Sequence, residues 1–288
     1  MSVDEGPAAS VSIPLAVRLR LARASVQTIA DGIGADLLHI KGDMVDEDLN
    51  PSAAAGTDVD VLVRPAHIRR MHSALSAHGW TVYSTFVNGS PFGHAQTYKH
   101  ETWGYLDLHR LFPGIRLDPA QAFETLWTSR VMRDAAGVRC CVPDAIGQAL
   151  IQLLNTARNP SDRRRGAAAE WTDATDDRRL AVRELARVLD AQVALAAATG
   201  ELDAFRDRRE HDLWKLISEG GGKRTVEWRA RVRAEPTVGG AVLVALRAPR
   251  VNVEHLAYQL GRAPTRREIV RAYVARAALA LREVRRGG

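Results

Sequence analysis

Three carboxylates and a Lys-Gly pair carry the chemistry this sequence can do. Gly56-Thr57-Asp58-Val59-Asp60-Val61-Leu62-Val63-Arg64-Pro65 alternates polar and apolar residues and reads as a strand. Residues two apart on a strand share a face, so Asp58 and Asp60 project together while Val59, Val61 and Val63 enter a core. Neighbouring carboxylates repel, and a cation that prefers oxygen ligands, Mg²⁺ or Mn²⁺, relieves the repulsion. Asp-x-Asp alone is common at solvated strand ends, so its company decides. Lys41-Gly42 closes an earlier short strand, Asp36 to Lys41. Tyr105 to Arg110 is a later strand on which Asp107 and His109 face away from Leu106 and Leu108. Laid beside the Asp58 strand, it brings a third carboxylate to the same place.

Three carboxylates around Mg²⁺ or Mn²⁺ are what phosphoryl transfer needs. The ions bridge phosphate oxygens, neutralise developing charge and align an attacking hydroxyl with departing pyrophosphate. Asp58, Asp60 and Asp107 are the expected metal ligands, and Asp107 also accepts the hydroxyl proton. Gly42 lets backbone N–H groups approach a phosphate. Lys41 either pairs with Asp58 or Asp60 or binds that phosphate. His109 orients Asp107, touches the acceptor, or makes a plain structural hydrogen bond. His94, on one face of a strand with Gln96, Tyr98 and His100, is a substrate contact or a surface histidine. Arg64 and the Arg163-Arg164-Arg165 run, with Arg164 on the substrate side, are candidate phosphate contacts, against the reading of a solvated charge run. Trp103 is the tryptophan placed to stack on a base.

The elements that position these groups follow from periodicity. A helix is expected over Ile13 to Gly34, another after Pro65, and strands over Trp80 to Val87 and His94 to His100. Asn50 to Gly56 reads as a mobile loop, and Asn88 to Gly93 as a turn. From Asp144 the chain is helical: Asp144 to Arg158, Asp177 to Thr199, Glu201 to Ser218, Lys223 to Glu235, Asn252 to Leu260 and a last helix opened by the capping box Thr265-x-x-Glu268. The expected division is a tail over 1–12, a catalytic domain over 13–142 and a helical cover domain over 143–288.

The 288 residues suffice for one large or two modest domains with a real core. No apolar run approaches the ~18 residues of a membrane span. The first ten residues are acidic and small, unlike a secretory signal, and Cys140-Cys141 is a poor disulfide pair, so a reduced, cytoplasmic protein is expected. The net charge of +6 is uneven: 13 basic and 15 acidic residues up to 140, then 27 and 19. That distribution suits a cation-binding first half and an anion-facing second half.

Ile40-Lys41-Gly42, then Asp58-Val59-Asp60-Val61-Leu62-Val63, then Leu106-Asp107-Leu108-His109 resembles the bacterial uncharacterised nucleotidyltransferase family, within the superfamily of DNA polymerase β and the antibiotic nucleotidyltransferases. The resemblance covers roughly residues 37–110. It implies an α+β fold, with a polymerase-β-like catalytic domain (a small mixed sheet with flanking helices) followed by an all-helical C-terminal domain. It also implies divalent metal and transfer of a nucleoside monophosphate from an NTP to a hydroxyl or phosphate. Asp58, Asp60 and Asp107 would be the acidic triad, and Lys41-Gly42 the turn touching the triphosphate. The sequence departs from the superfamily at Asp43, where a small residue is usual, and in lacking an Arg shortly before Asp58. The acceptor is expected to be a small molecule, peptide or natural-product intermediate; tRNA is the alternative. A catalytically silent nucleotide-binding module and a helix-turn-helix DNA binder over Glu254 to Arg271 are the readings from other classes.

Overall fold

The stretch that carries Asp58 and Asp60 is the second of five strands in one mixed sheet. The structure, a computed structural model, describes residues 13–46, 49, 56–87, 92–159, 171–220, 224–247, 251 and 253–286. Strands β1 (Leu37–His39), β2 (Asp58–Val63), β3 (Thr81–Ser84), β4 (Ala95–His100) and β5 (Gly104–His109) lie in the order β1-β2-β5-β4-β3. β2 and β5 run parallel; the other pairings are antiparallel. A parallel pair needs a long crossover, supplied here by helix α2 (Ile68–Ala77) and the β3–β4 pair.

The sheet has two covered faces. Leu37, Val59, Val61, Val63, Tyr98, Leu106 and Leu108 pack under α2 and helix α1 (Leu15–Gly32). On the other face, Leu38, Ile40 and Leu62 share a core with helices α3 (Pro119–Thr128), α4 (Ala145–Arg158), α5 (Asp176–Val188) and α6 (Gln192–Thr199), around Phe112, Phe123 and Trp214. Each fully buried apolar side chain here contributes roughly 1.5–3 kcal/mol. One core therefore runs from the sheet into the helices that follow it. The fold is α+β, a small mixed sheet with many helices. Among the described residues the last strand is β7 (Val138–Val142), which forms a hairpin with β6 (Val131–Ala135) through Ala136 (φ 52°) and Gly137 (φ 83°). The chain then continues through α7 (His211–Glu219), α8 (Arg224–Ala234), α9 (Val238–Arg247), α10 (Val253–Leu260) and α11 (Arg266–Arg286).

Local signals account for several boundaries. Asp144 caps α4, its carboxylate accepting from Gly147 N at 2.8 Å. Thr265 and Glu268 form the reciprocal capping box before α11. Cys140 and Cys141 are buried free thiols. Among the described residues, no helix is long and apolar enough to cross a membrane.

Three expectations are corrected. The single helix over Asp177 to Thr199 is two, because Asp190 adopts φ 48° and breaks the chain between α5 and α6. The break follows from burial: Val193 to Ala198 of α6 are all buried, so this short helix must enter the core, whereas α5 lies at the surface with Val182 and Ala186 inward. The helix over Glu201 to Ser218 is a 3-10 turn (Leu202–Phe205) and then α7. On β4, Gln96 and Tyr98 point into the α1/α2 core rather than to a polar surface; Gln96 Nε2 donates to Tyr98 Oη at 2.7 Å. The loop expected over 50–55 and the Arg163 to Arg165 run lie outside the described residues.

Candidate active site

The parallel register of β2 and β5 sets Asp60 directly beside Asp107. Asp60 is 6% exposed. Its Oδ1 accepts from Lys41 Nζ at 2.6 Å and from His109 Nε2 at 2.9 Å. Asp107 Oδ1 accepts from Thr97 Oγ1 at 2.6 Å, across the β4–β5 register. One ligand atom from each of Asp60, Asp107 and His109 lies within 4.8 Å of the other two. Asp58 shares the face and is partly exposed, outside this closest group.

These neighbours are driven apart electrostatically. Burial pushes the Asp58 carboxyl up to about 6, with Asp60 and Asp107 adding to the rise against Lys41 and Arg23. Burial would raise Asp60 too, but the Lys41 ammonium and the His109 hydrogen bond outweigh it and hold that carboxyl well below the usual range. Burial lowers the pKa of His109, against the opposing pull of Asp60 and Asp107, and its Nε2 lies 2.9 Å from Asp60 Oδ1. Adjacent carboxylates with opposite shifts are the pattern by which one fold divides acid and base roles.

Lys41 is extended and Gly42 takes φ 74°, the left-handed region that glycine enters without strain. The following residue, Asp43, is held by α1: its carboxylate pairs with Arg20 Nε at 3.0 Å and Arg23 Nη1 at 2.6 Å. The negative charge that follows Gly42 is thus neutralised from behind the turn. Arg23 is 1% exposed. Met44 packs among Ala135, Cys140 and Val142, so the β6–β7 hairpin braces the turn from its other side.

His94 lies just before β4, buried, with its ring 5.2 Å from that of His109. Its Nε2 accepts from Arg158 Nη1 at 3.0 Å. Burial, with His109 and Arg158 beside it, pushes its pKa down to about 2, so it stays neutral. The neighbouring Phe92 stacks on Trp214 of α7 and lies under Arg231 of α8, which ties this segment to the helical half.

The structure therefore brings Lys41, Asp60, Asp107, His109 and His94 together, with Asp58 and Gly42 alongside. It does not bring Arg64. That residue stands four positions beyond Asp60, about 13 Å along the strand, where it pairs with Asp36 at 2.7 Å and Glu124 at 2.5 Å and lies over Phe123. Expected as a nucleotide contact, Arg64 here braces β2 against α3. Arg164 lies outside the described residues. Trp103 stacks on His100 and packs against the α1/α2 core, so no base stacks on the ring face it uses there. Sequence reasoning missed Thr97, Arg23 and Arg158. Thr97 was legible in principle, as the residue opposite Asp107 in a hairpin. The two arginines carry no local signal, since only tertiary packing turns them toward the site.

No protein-family model matches the chain, and no curated protein does. Among solved structures it is similar to the lincosamide antibiotic adenylyltransferase LnuA with lincomycin bound (15% identity, TM-score 0.34, covering 58% of this chain and 96% of that one). It is also similar to a tRNA-processing enzyme in its apo form (16% identity, TM-score 0.28, covering 96% of this chain and 90% of that one). The reading of the site rests on its own geometry.

Proposed function

We propose that this protein is a metal-dependent nucleotidyltransferase. It would move a nucleoside monophosphate from an NTP to a hydroxyl or phosphate of a small-molecule, peptide or natural-product acceptor. The observation that carries the reading is the register of β2 and β5, which forces Asp60 against Asp107 while Lys41-Gly42 turns beside them. A folded protein has no stability reason to oppose two carboxylates on adjacent strands. The donor set fits a divalent cation: two carboxylates and an imidazole converge, with a third carboxylate on the same face. Asp58, Asp60 and Asp107 would hold it, with His109 hydrogen-bonded to Asp60. Such an ion, when bound, neutralises phosphate charge and makes an acceptor hydroxyl easier to ionise.

The chain's own residues supply the rest. The backbone of the Gly42 turn receives the triphosphate, since glycine presents no Cβ to it. Lys41, paired with Asp60, immediately precedes that turn and would contact the phosphate. His109 fixes Asp60, and Thr97 fixes Asp107, so neither carboxylate has to reorganise. The acceptor oxygen attacks the α-phosphorus, the bond to the bridging oxygen breaks, and pyrophosphate departs. The hydroxyl proton goes to Asp107, whose second oxygen is the candidate base. tRNA is the second acceptor class, favoured by the basic second half of the chain.

The test incubates purified protein with Mg²⁺ or Mn²⁺ and each α-³²P-labelled NTP, offering tRNA or a small-molecule and protein extract. Label on one fraction that vanishes in Asp60→Asn and Asp107→Asn supports the reading and names the acceptor class. Nucleotide binding without transfer in any fraction leaves a silent module instead. Absence of nucleotide binding sinks the assignment.

A further inference from the structure

Arg158 is the last residue of α4, and its guanidinium leaves the helical half for the site. Nη1 donates to His94 Nε2 at 3.0 Å, Nη2 donates to Asn155 Oδ1 at 2.9 Å, and the group lies over the Phe112 ring. Its Nε is buried with no hydrogen-bond partner. Among the described residues no carboxylate is in ion-pair contact with it; Asp60 and Asp107 act on it only through space. A guanidinium withdrawn from water without a contacting counter-ion is costly, and proteins normally pair such a charge. The C-terminal dipole of α4 and the Phe112 face offset part of the cost. Neither supplies a contacting negative charge, and His94, which holds the group inward, is neutral.

Its place across the sheet says what it faces. The order β1-β2-β5-β4 puts the Gly42 turn after β1 at one flank, Asp60 and Asp107 on the two middle strands, and His94, before β4, at the other flank. With strands ~4.8 Å apart, the two flanks stand roughly 14 Å from each other. A triphosphate on the Gly42 turn leaves the Arg158 side to the second substrate.

We propose that Arg158, held by His94, is an oxyanion-binding group on the acceptor side of the site, so that the acceptor carries a phosphate or carboxylate close to the hydroxyl that is modified. This rests on the nucleotidyltransferase reading for its assignment to the acceptor. The binding group itself stands on a guanidinium that, among the described residues, has no carboxylate in contact with it. Arg is the side chain suited to the task, because its planar fork matches a phosphate or carboxylate bidentately.

The experiment titrates inorganic phosphate, and separately acetate, into the full chain by calorimetry and thermal shift. Each titration is run with and without a saturating non-hydrolysable NTP analogue and Mg²⁺. Phosphate or acetate is expected to bind wild type, and at least about tenfold more weakly in Arg158→Gln, as for the loss of a charged hydrogen bond. The stronger of the two probes names the oxyanion. Binding is expected to persist when the nucleotide analogue is present. Arg158→Lys keeps the charge and stem, loses the fork, and is expected to fall between the two; it serves if Arg158→Gln does not fold. The readout is the anion-dependent increment, which a merely structural arginine would not move. Equal anion binding in wild type and both variants overturns the proposal, as does no binding to wild type. Expulsion of the probe by the nucleotide analogue overturns the acceptor assignment and gives Arg158 to the triphosphate. Arg158-dependent anion binding with no nucleotide binding at all keeps the oxyanion site and sinks the nucleotidyltransferase reading, so the two failures are told apart.

Discussion

Replacing Lys41 with methionine should weaken the metal-free protein and strengthen its hold on metal. Lys41 Nζ lies 2.6 Å from Asp60 Oδ1, and the side chains are 20% and 7% exposed. At an effective dielectric of ~20 the attraction at that distance is about 6 kcal/mol, and removing one member of a buried pair typically costs ~3–5 kcal/mol. The partial exposure of Lys41 trims the loss, so we expect ~2–4 kcal/mol, or a Tm fall of roughly 5–10 °C for a chain of this size. The same ammonium competes with any cation for Asp60. Without it, Mn²⁺ affinity measured by calorimetry should rise about tenfold or more, and saturating Mn²⁺ should recover most of the lost Tm. Transfer should nevertheless fall, because the phosphate loses its lysine. A variant with wild-type Tm and wild-type Mn²⁺ affinity would refute the reasoning, since the ammonium would then be neither the counter-charge nor the competitor.

Four further outcomes can be checked. Asp43→Ala strands the buried Arg23 and should cost ~3–5 kcal/mol in urea unfolding, while Arg23→Met with Asp43→Ala should cost less than Asp43→Ala alone; strict additivity would contradict the pair. His39 is buried with neither ring nitrogen partnered, and burial and Arg23 hold its pKa down to about 3. A depressed histidine stabilises above its unfolded value near 6.5 and loses that contribution as pH falls toward 3, about 2 kcal/mol by pH 5. His39→Leu should therefore be neutral or stabilising at pH 8 and flatten the acid side of the stability curve; an unchanged slope would count against it. Gly42→Ala places a Cβ in the left-handed region and should cost ~1–2 kcal/mol with loss of NTP binding by calorimetry; unaltered NTP affinity would clear the turn of that role. Ala136→Asn suits the two-residue turn of the β6–β7 hairpin and should add about 0.5–1 kcal/mol of stability, read as a Tm rise of roughly 1–4 °C.

What the sequence showed clearly was written in short-range patterns. The alternation around Asp58 and Asp60, the glycine after Lys41 and the isolated Asp107 between leucines each declare a strand or turn within a few residues. Their convergence needed only that β2 and β5 be neighbours. What escaped was set by packing at a distance. Arg64 looked free beside an acidic motif, yet α3 brings Glu124 to it from 60 residues away. Arg158 ended an ordinary amphipathic helix, and nothing local says that its head turns toward His94. The unbroken helical pattern from Asp177 to Thr199 concealed a bend at Asp190 that only the burial of α6 requires. Tyr98 alternated as if on a polar face, but α2 supplies His72 to its hydroxyl inside the core.

The Lys41–Asp60 link spans 19 residues, whereas Asp107 reaches Asp60 from 47 residues away. Closing a shorter loop costs less entropy, and local pairings form ahead of distant ones. The β1–β2 pairing is thus expected to set a positive charge on Asp60 before β5 docks its own carboxylate. A chain that must bring like charges together for its chemistry carries, in its sequence order, the means of passing that barrier during folding.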